Sequence, residues 1–299
     1  MSEEPRKPAV KVLAAIDVGT NSIRLVVAEA KADGSFRVLD DEKETTRLGT
    51  GLNQTGRMQE ENIQASIEAI ERMRKIAEGF RAEHLRIVGT SACRVAENSA
   101  DFIDRLQDRT GLDLEVLSGD DEARLAFESV QAAFELEAIN AAVVDIGGGS
   151  VEMVMSAGGV VQQVYTLDVG AVRLSERYGP CGPGQQDNYD RMYRAIRDAI
   201  RDRYADVLFV PHVMFGTGGT FTSLAALEAT RVGVLKGDGS PVIRAISHSV
   251  MAGLPIAYVI GVALSIGALV AGVVSALVLY LIESRSRVKT DAAMALILT

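Results

Sequence analysis

The sequence predicts an α/β protein whose two similar halves face one another across a cleft. Two observations carry that expectation and a third completes it. IDVGTNS at Ile16–Ser22 and VDIGGGS at Val144–Ser150 each end an apolar strand on an aspartate, directly before a turn of glycine and hydroxyl residues. A further glycine turn, GTGGT, follows at Gly216–Thr220. Between them, short apolar runs alternate with segments of helical periodicity, the pattern of mixed sheets with helices on both faces. Glycine lets backbone come close to an anion, and successive N–H groups then offer it donors. An aspartate beside such a turn would repel phosphate unless a cation or water lay between, so the pattern points to metal-assisted phosphoryl chemistry.

Val12–Ile16 reads as an apolar strand entering the first loop, Ile23–Glu29 as the strand leaving it, and Phe36–Asp40 as a third. Strand–turn–strand is unlike the strand-to-helix entry of a dinucleotide fold. Ile63, Ile67, Ile70 and Ala77 mark one face of a helix beginning near Gln59. Leu85–Val88 is a strand, Phe102–Gln107 helical, Leu114–Leu117 a strand and Glu122–Phe134 a helix. The opening then repeats, with strands at Ala142–Ile146, Val151–Met155 and Val161–Leu167. A helix at Tyr189–Tyr204, a strand at Val213–Phe215 and a helix at Phe221–Glu228 complete the pattern. Gly179–Gly184 reads as a surface turn. These elements divide the chain into a polar tail at 1–11, a first domain at 12–137 and a second, shortened domain at 138–233.

The chain of 299 residues is long enough for two cores, and its net charge of −9 argues against a general nucleic-acid platform. Cys93 and Cys181 are its only cysteines, far apart, which excludes a zinc motif or disulfide framework. No apolar export segment opens the sequence, which places the catalytic region in the cytoplasm. Beyond a linker at 234–253, residues 254–282 are almost entirely Leu, Ile, Val, Ala and Gly, before a tail at 283–299. A helix of roughly 20 apolar residues crosses a bilayer. The expectation is therefore a single-pass transmembrane helix, with the lipid bilayer as partner. Small residues at Ala257–Gly261 and Ala268–Gly272 would permit close packing in a homodimer.

Asp17 and Asp145 occupy the same place relative to a strand and its turn, which favours shared metal or water coordination over two separate turn caps. Asn21, Ser22 and Ser150 add neutral donors. Glu122 falls in the first turn of a helix capped by Ser118 or Asp120. It either complements the helix dipole or acts as general base toward a water. Glu152, two residues beyond Ser150, shares the loop face or is an edge-strand carboxylate. Arg94, after Thr90 and Ser91, either forks onto phosphate oxygens or pairs with Glu97 or another surface acid.

Taken together, IDVGTNSIRLVVAE from Ile16, GTSACRVAEN from Gly89, SGDDEARLAF at Ser118–Phe127, VDIGGGSVEMV from Val144 and FGTGGTFTSLAALE from Phe215 resemble the exopolyphosphatase and guanosine-pentaphosphate phosphohydrolase family. That family sits within the actin, sugar-kinase and Hsp70-like ATPase superfamily, and the resemblance runs from about Val12 to Arg231. It implies two ribonuclease-H-like domains around a cleft that binds Mg²⁺ and inorganic polyphosphate or guanosine pentaphosphate. By that resemblance Glu122 activates water, Glu152 is the carboxylate after the second loop and Arg94 binds the polyanion. Thr20, Asn21, Ser22, Gly147, Gly148, Gly149 and Ser150 would hold phosphates, Gly216, Gly218, Gly219 and Thr220 would form the third turn, and Asp17, Asp145 and Glu152 would hold the metal. After Val232 the sequence departs from the family, and the usual completing segment with its Arg-Ala-Asp is not found.

The leading functional expectation is release of terminal orthophosphate from polyphosphate by metal-assisted attack of water. The alternatives are a guanosine pentaphosphate 5′-phosphohydrolase and an inactive membrane-bound polyphosphate- or nucleotide-binding protein. A sugar kinase or ATPase shares the duplicated loops but would need an adenosine pocket.

Overall fold

A computed structural model of the chain describes residues 11–31, 36–181, 184–203 and 209–231. It opens with an antiparallel hairpin, β1 (Lys11–Val18) and β2 (Ile23–Ala30), followed by β3 (Phe36–Glu44). A short helix α1 (Leu52–Thr55) and the long α2 (Glu60–Gly79) lead to β4 (His84–Gly89), which returns parallel to β1. Then come α3 (Ser91–Val95), α4 (Ser99–Thr110) and β5 (Leu114–Val116), giving a sheet ordered β3-β2-β1-β4-β5.

After α5 (Gly119–Ala133), the plan repeats with β6 (Asn140–Ile146), β7 (Val151–Ala157) and β8 (Val160–Leu167). The helices α6 (Ala171–Tyr178) and α7 (Gln186–Arg203) precede β9 (Val213–Thr217), and α8 (Gly218–Arg231) ends the described chain. The second sheet, β8-β7-β6-β9, reproduces the first four strands of the first sheet in order and direction. The expected two-part α/β architecture around a cleft is thus present.

Register explains how the two aspartates become equivalent. Asp17 pairs with Arg24 across the first hairpin, and Asp145 with Glu152 across the second. Both turns close with the same bond, Gly19 N–H to Ser22 O at 3.1 Å and Gly147 N–H to Ser150 O at 3.0 Å.

Packing follows from the patterns in the sequence. Leu13, Ala14, Ala15 and Ile16 are consecutive and all buried, as a central strand covered on both faces requires. From α2, Ile63, Ile67, Ile70, Met73 and Ala77 join that core, each large side chain stabilising the fold by about 1.5–3 kcal/mol. The apolar face of α5 packs instead with the second sheet, Ala123, Ala126, Phe127 and Val130 joining Val143, Val154 and Phe215. The helix that carries Glu122 therefore springs from the first lobe and is anchored in the second.

The expectation of a membrane-spanning helix is corrected. Among the described residues no helix is long and apolar enough to cross a membrane. The longest, α2 with 20 residues, alternates Glu, Arg and Lys along its outer face, and such side chains cost about 2.5–3.5 kcal/mol each at a bilayer centre. The segment 254–282, with the small-residue spacings proposed for a homodimer, lies outside the described residues. The transmembrane helix, the lipid bilayer as partner and the membrane-associated location are withdrawn with it.

Candidate active site

The two loops meet across a cleft of about 740 Å³ between the lobes. Interlocking is close. A Cβ added at Gly149 would fall 2.3 Å from Ser91 Oγ and 2.7 Å from Thr20 Oγ1 of the other lobe, so only glycine fits. Behind the second loop, a Cβ at Gly170 would lie 2.4 Å from the backbone of Gly149 and Ser150. Across the mouth, Glu176 of α6 accepts hydrogen bonds from Gly51 N–H (2.7 Å) and Asn53 Nδ2 (2.9 Å) of the first lobe.

Asp17, Glu122 and Asp145 all line this cleft. So do Thr20, Asn21 and Ser22 of the first loop, Gly147, Gly148, Gly149 and Ser150 of the second, and Gly218, Gly219 and Thr220 of the third. Gly216 stands back, within β9, where a Cβ would strike the Phe221 ring at 2.5 Å; its part is to admit that ring. Glu152 is fully buried beneath the second loop, 1% exposed.

Arg94 ties these groups together. Its Nη1 donates to Glu122 Oε2 (2.7 Å) and to Leu117 O (2.9 Å), while Nη2 approaches Ser150 Oγ at 3.5 Å and Glu152 Oε1 at 3.6 Å. Glu97, the local alternative, lies 3.8 Å from Arg57 instead. Glu122 owes its position to the start of α5, where the Ser118 hydroxyl accepts from Asp121 N–H at 3.1 Å.

Four carboxylates share little solvent here, and their acidities show it. Burial pushes Asp17 up to about 7, helped by the charges of Glu122 and Asp145 and opposed by Arg24. Asp145 rises to about 6 through burial and Glu122, against a hydrogen bond from Thr217. Burial raises Glu152 too, with Glu122 adding to it, and it raises Glu122 despite the opposing Arg94. Asp17 Oδ1, Thr20 Oγ1 and both oxygens of Glu152 are buried without accepting or donating a hydrogen bond. Buried acceptors without donors are costly unless a cation or ligand completes them.

Among the described residues no group of three or more His, Cys, Asp and Glu side chains is gathered tightly enough to hold a metal by itself. The unpaired oxygens fit a cation that takes one or two carboxylates and completes its shell with water and phosphate, which is the habit of Mg²⁺.

Sequence reasoning missed α6, with its Glu176, and the basic residues Lys43 and Arg47 on the cleft wall. The Asp-Val-Gly at Asp168–Gly170 was the available signal for α6, since a turn pressed on the second loop must be followed by a change of direction.

The model of the Ppx/GppA phosphatase family matches residues 26–235. The chain belongs to the Ppx/GppA phosphatase family. A second model, of the ABC 3 transport family, matches residues 218–299. Among solved structures, the chain is 32% identical to the Aquifex aeolicus member of the Ppx/GppA family, covering 77% of this chain and 72% of that one at a TM-score of 0.62. An exopolyphosphatase-like protein is 26% identical over 96% of this chain and 97% of its own, at a TM-score of 0.67. An exopolyphosphatase from Cytophaga hutchinsonii, 23% identical over 97% and 92% of the two chains, shares the fold at a TM-score of 0.70. Family membership makes this a hydrolase of the Ppx/GppA type.

Proposed function

We propose that the chain is an exopolyphosphatase-type phosphohydrolase that releases terminal orthophosphate from inorganic polyphosphate. The observation that carries this reading is the convergence of Asp17, Asp145 and Glu122 on one cleft between two matching glycine loops. The charge of Glu122 raises the pKa of both aspartates, and Asp145 that of Asp17, which supports one shared site. Asp17 and Asp145 would hold Mg²⁺, with Glu152 behind them; when bound, the ion neutralises charge on phosphate oxygens.

The chain's own groups account for the rest. The N–H groups of the two loops and the hydroxyls of Thr20, Ser22 and Ser150 bind the terminal phosphate oxygens. Glu122 orients a water and accepts its proton as the water oxygen bonds to the terminal phosphorus. The bridging P–O bond breaks, and its electron pair leaves with the shortened chain. Arg94 keeps Glu122 in place and opposes the upward pull of burial on its pKa.

Polyphosphate is favoured over guanosine pentaphosphate by the lining. Among the described residues it contains mostly Gly, Ser, Thr and charged side chains, with Asn21, Ile146, Ala171 and Val172, but no aromatic ring on which a base would stack. Residues 236–299 fall outside the Ppx/GppA match.

The test is orthophosphate release from long-chain polyphosphate with and without Mg²⁺, with Glu122→Gln in parallel. Release is expected to depend on Mg²⁺ and to fall at least about 100-fold in the variant, with binding largely retained. Normal turnover by Glu122→Gln would remove its assigned role.

A further inference from the structure

Arg47 lies just beyond β3, between two anchored neighbours. Leu48 is fully buried, and Thr46 is held by a hydrogen bond from Ser66 Oγ to its Oγ1 at 2.9 Å. Arg47 itself is exposed and lines the cleft. Its φ is +54°, a conformation that glycine adopts freely and arginine only under constraint. Among the described residues one other non-glycine shares it, Arg81 at +58°, and that residue closes the end of α2, where such geometry is common. No helix explains Arg47.

What holds Arg47 is the first loop. Its N–H donates to Asn21 O at 2.9 Å, and Gly49 N–H donates to Thr20 O at 2.8 Å. The second lobe makes the matching bond from Gly170 N–H to Gly149 O at 3.3 Å, but there a side chain would collide with the loop. A position closed by glycine in one lobe carries a long cation in the other.

The remaining arginines around the cleft are engaged. Arg24 is bidentate to Asp41 (2.7 and 2.6 Å), Arg94 binds Glu122, and Arg173 spans Gly149 O and Asp168. Arg47 makes no ion pair among the described residues. A lone exposed arginine is ordinary on a protein surface; one held in strained backbone by hydrogen bonds to the phosphate-binding loop itself is not.

We propose that Arg47 binds the penultimate phosphate of the substrate, on the leaving-group side of the scissile bond, through its guanidinium fork. This rests on the phosphohydrolase reading above. Arg47 then sets a specificity: a ligand with consecutive phosphates engages it, whereas a single phosphate filling the terminal position does not.

The test uses the full chain and Arg47→Gly, because glycine accepts the left-handed backbone without strain. Titration calorimetry with tripolyphosphate and with orthophosphate, both in Mg²⁺, is paired with polyphosphate kinetics and thermal melting. Tripolyphosphate is expected to bind about 10-fold or more weakly to the variant, the loss of a charge-assisted pair. Orthophosphate affinity stays within about twofold, KM for polyphosphate rises about 10-fold with kcat little changed, and the melting temperature holds or increases. Unchanged tripolyphosphate affinity, or equal weakening of both ligands, overturns the proposal. A wild-type chain that binds tripolyphosphate without releasing orthophosphate refutes the hydrolase reading while the calorimetry still decides Arg47. A wild-type chain that does not bind tripolyphosphate overturns the Arg47 assignment as well.

Discussion

The two lobes share one strand plan and differ at the residue facing the loop aspartate. In the first lobe Arg24 stands opposite Asp17 and is locked to Asp41; in the second Glu152 stands opposite Asp145 and is buried with no hydrogen bond. Arg24 is balanced within its own lobe, while Glu152 is an acid whose balance must come from Arg94 of the opposite lobe and from whatever enters the cleft. The packing differs in the same direction. One face of the first sheet is covered by α2 and α4 over a continuous core, whereas α7 in the second lobe, among the described residues, has no fully buried side chain. The proposed phosphohydrolase would combine a well-packed frame in one lobe with an electrostatically expensive surface in the other. Marginal local stability at a functional site is a common arrangement.

Several substitutions probe that contrast. The largest effect is expected in the cores. Phe102→Ala, in the first lobe, removes a fully buried ring and is expected to cost about 3–5 kcal/mol in urea unfolding. Phe215→Ala, whose ring meets Phe134 at a centroid distance of 4.9 Å, is expected at or below the lower end of that range. Equal losses would erase the difference between the cores.

The next effect is one of opposite sign. Arg24→Met removes the bidentate partner of Asp41 and is expected to destabilise by about 2–4 kcal/mol. Glu152→Gln relieves a buried acid and is expected to raise the melting temperature by a few degrees while lowering orthophosphate release about 10-fold or more. If both variants melt below the wild type, the asymmetry is not electrostatic.

The smallest effect is in pH dependence. A carboxyl raised to about 7 binds more protons folded than unfolded. Its penalty is absent below the ordinary carboxylate range, grows as pH rises through about 4–7, and levels off above. Without divalent cations, Asp17→Asn is therefore expected to gain several degrees on the wild type between pH 5 and pH 8. Parallel melting curves would show that Asp17 is not shifted.

Much of this arrangement was legible in the residues, because it is written locally. The paired Asp–Gly turns fixed both hairpins, and Ser118 with its acidic followers marked the start of α5. Which sheet α5 covers was not legible: amphipathicity shows that a face is buried, not what buries it. The partner of Arg94 was equally hidden, since Glu122 lies 28 positions away and Glu97 only three. Arg47 gave no signal, because its distinction is a backbone angle imposed by contact with a loop distant in sequence. The apolar run at 254–282 lies outside the described residues, and no helix among those has the length and apolarity of a membrane span.

The fit of Gly149 against Ser91 and Thr20 has an evolutionary consequence. Two halves built to one plan would ordinarily drift apart at independent rates, each tolerating its own substitutions. Here a methyl group at 149 demands room from residues more than fifty positions upstream, so these loops can change only in concert. Their histories are coupled at the point where they touch.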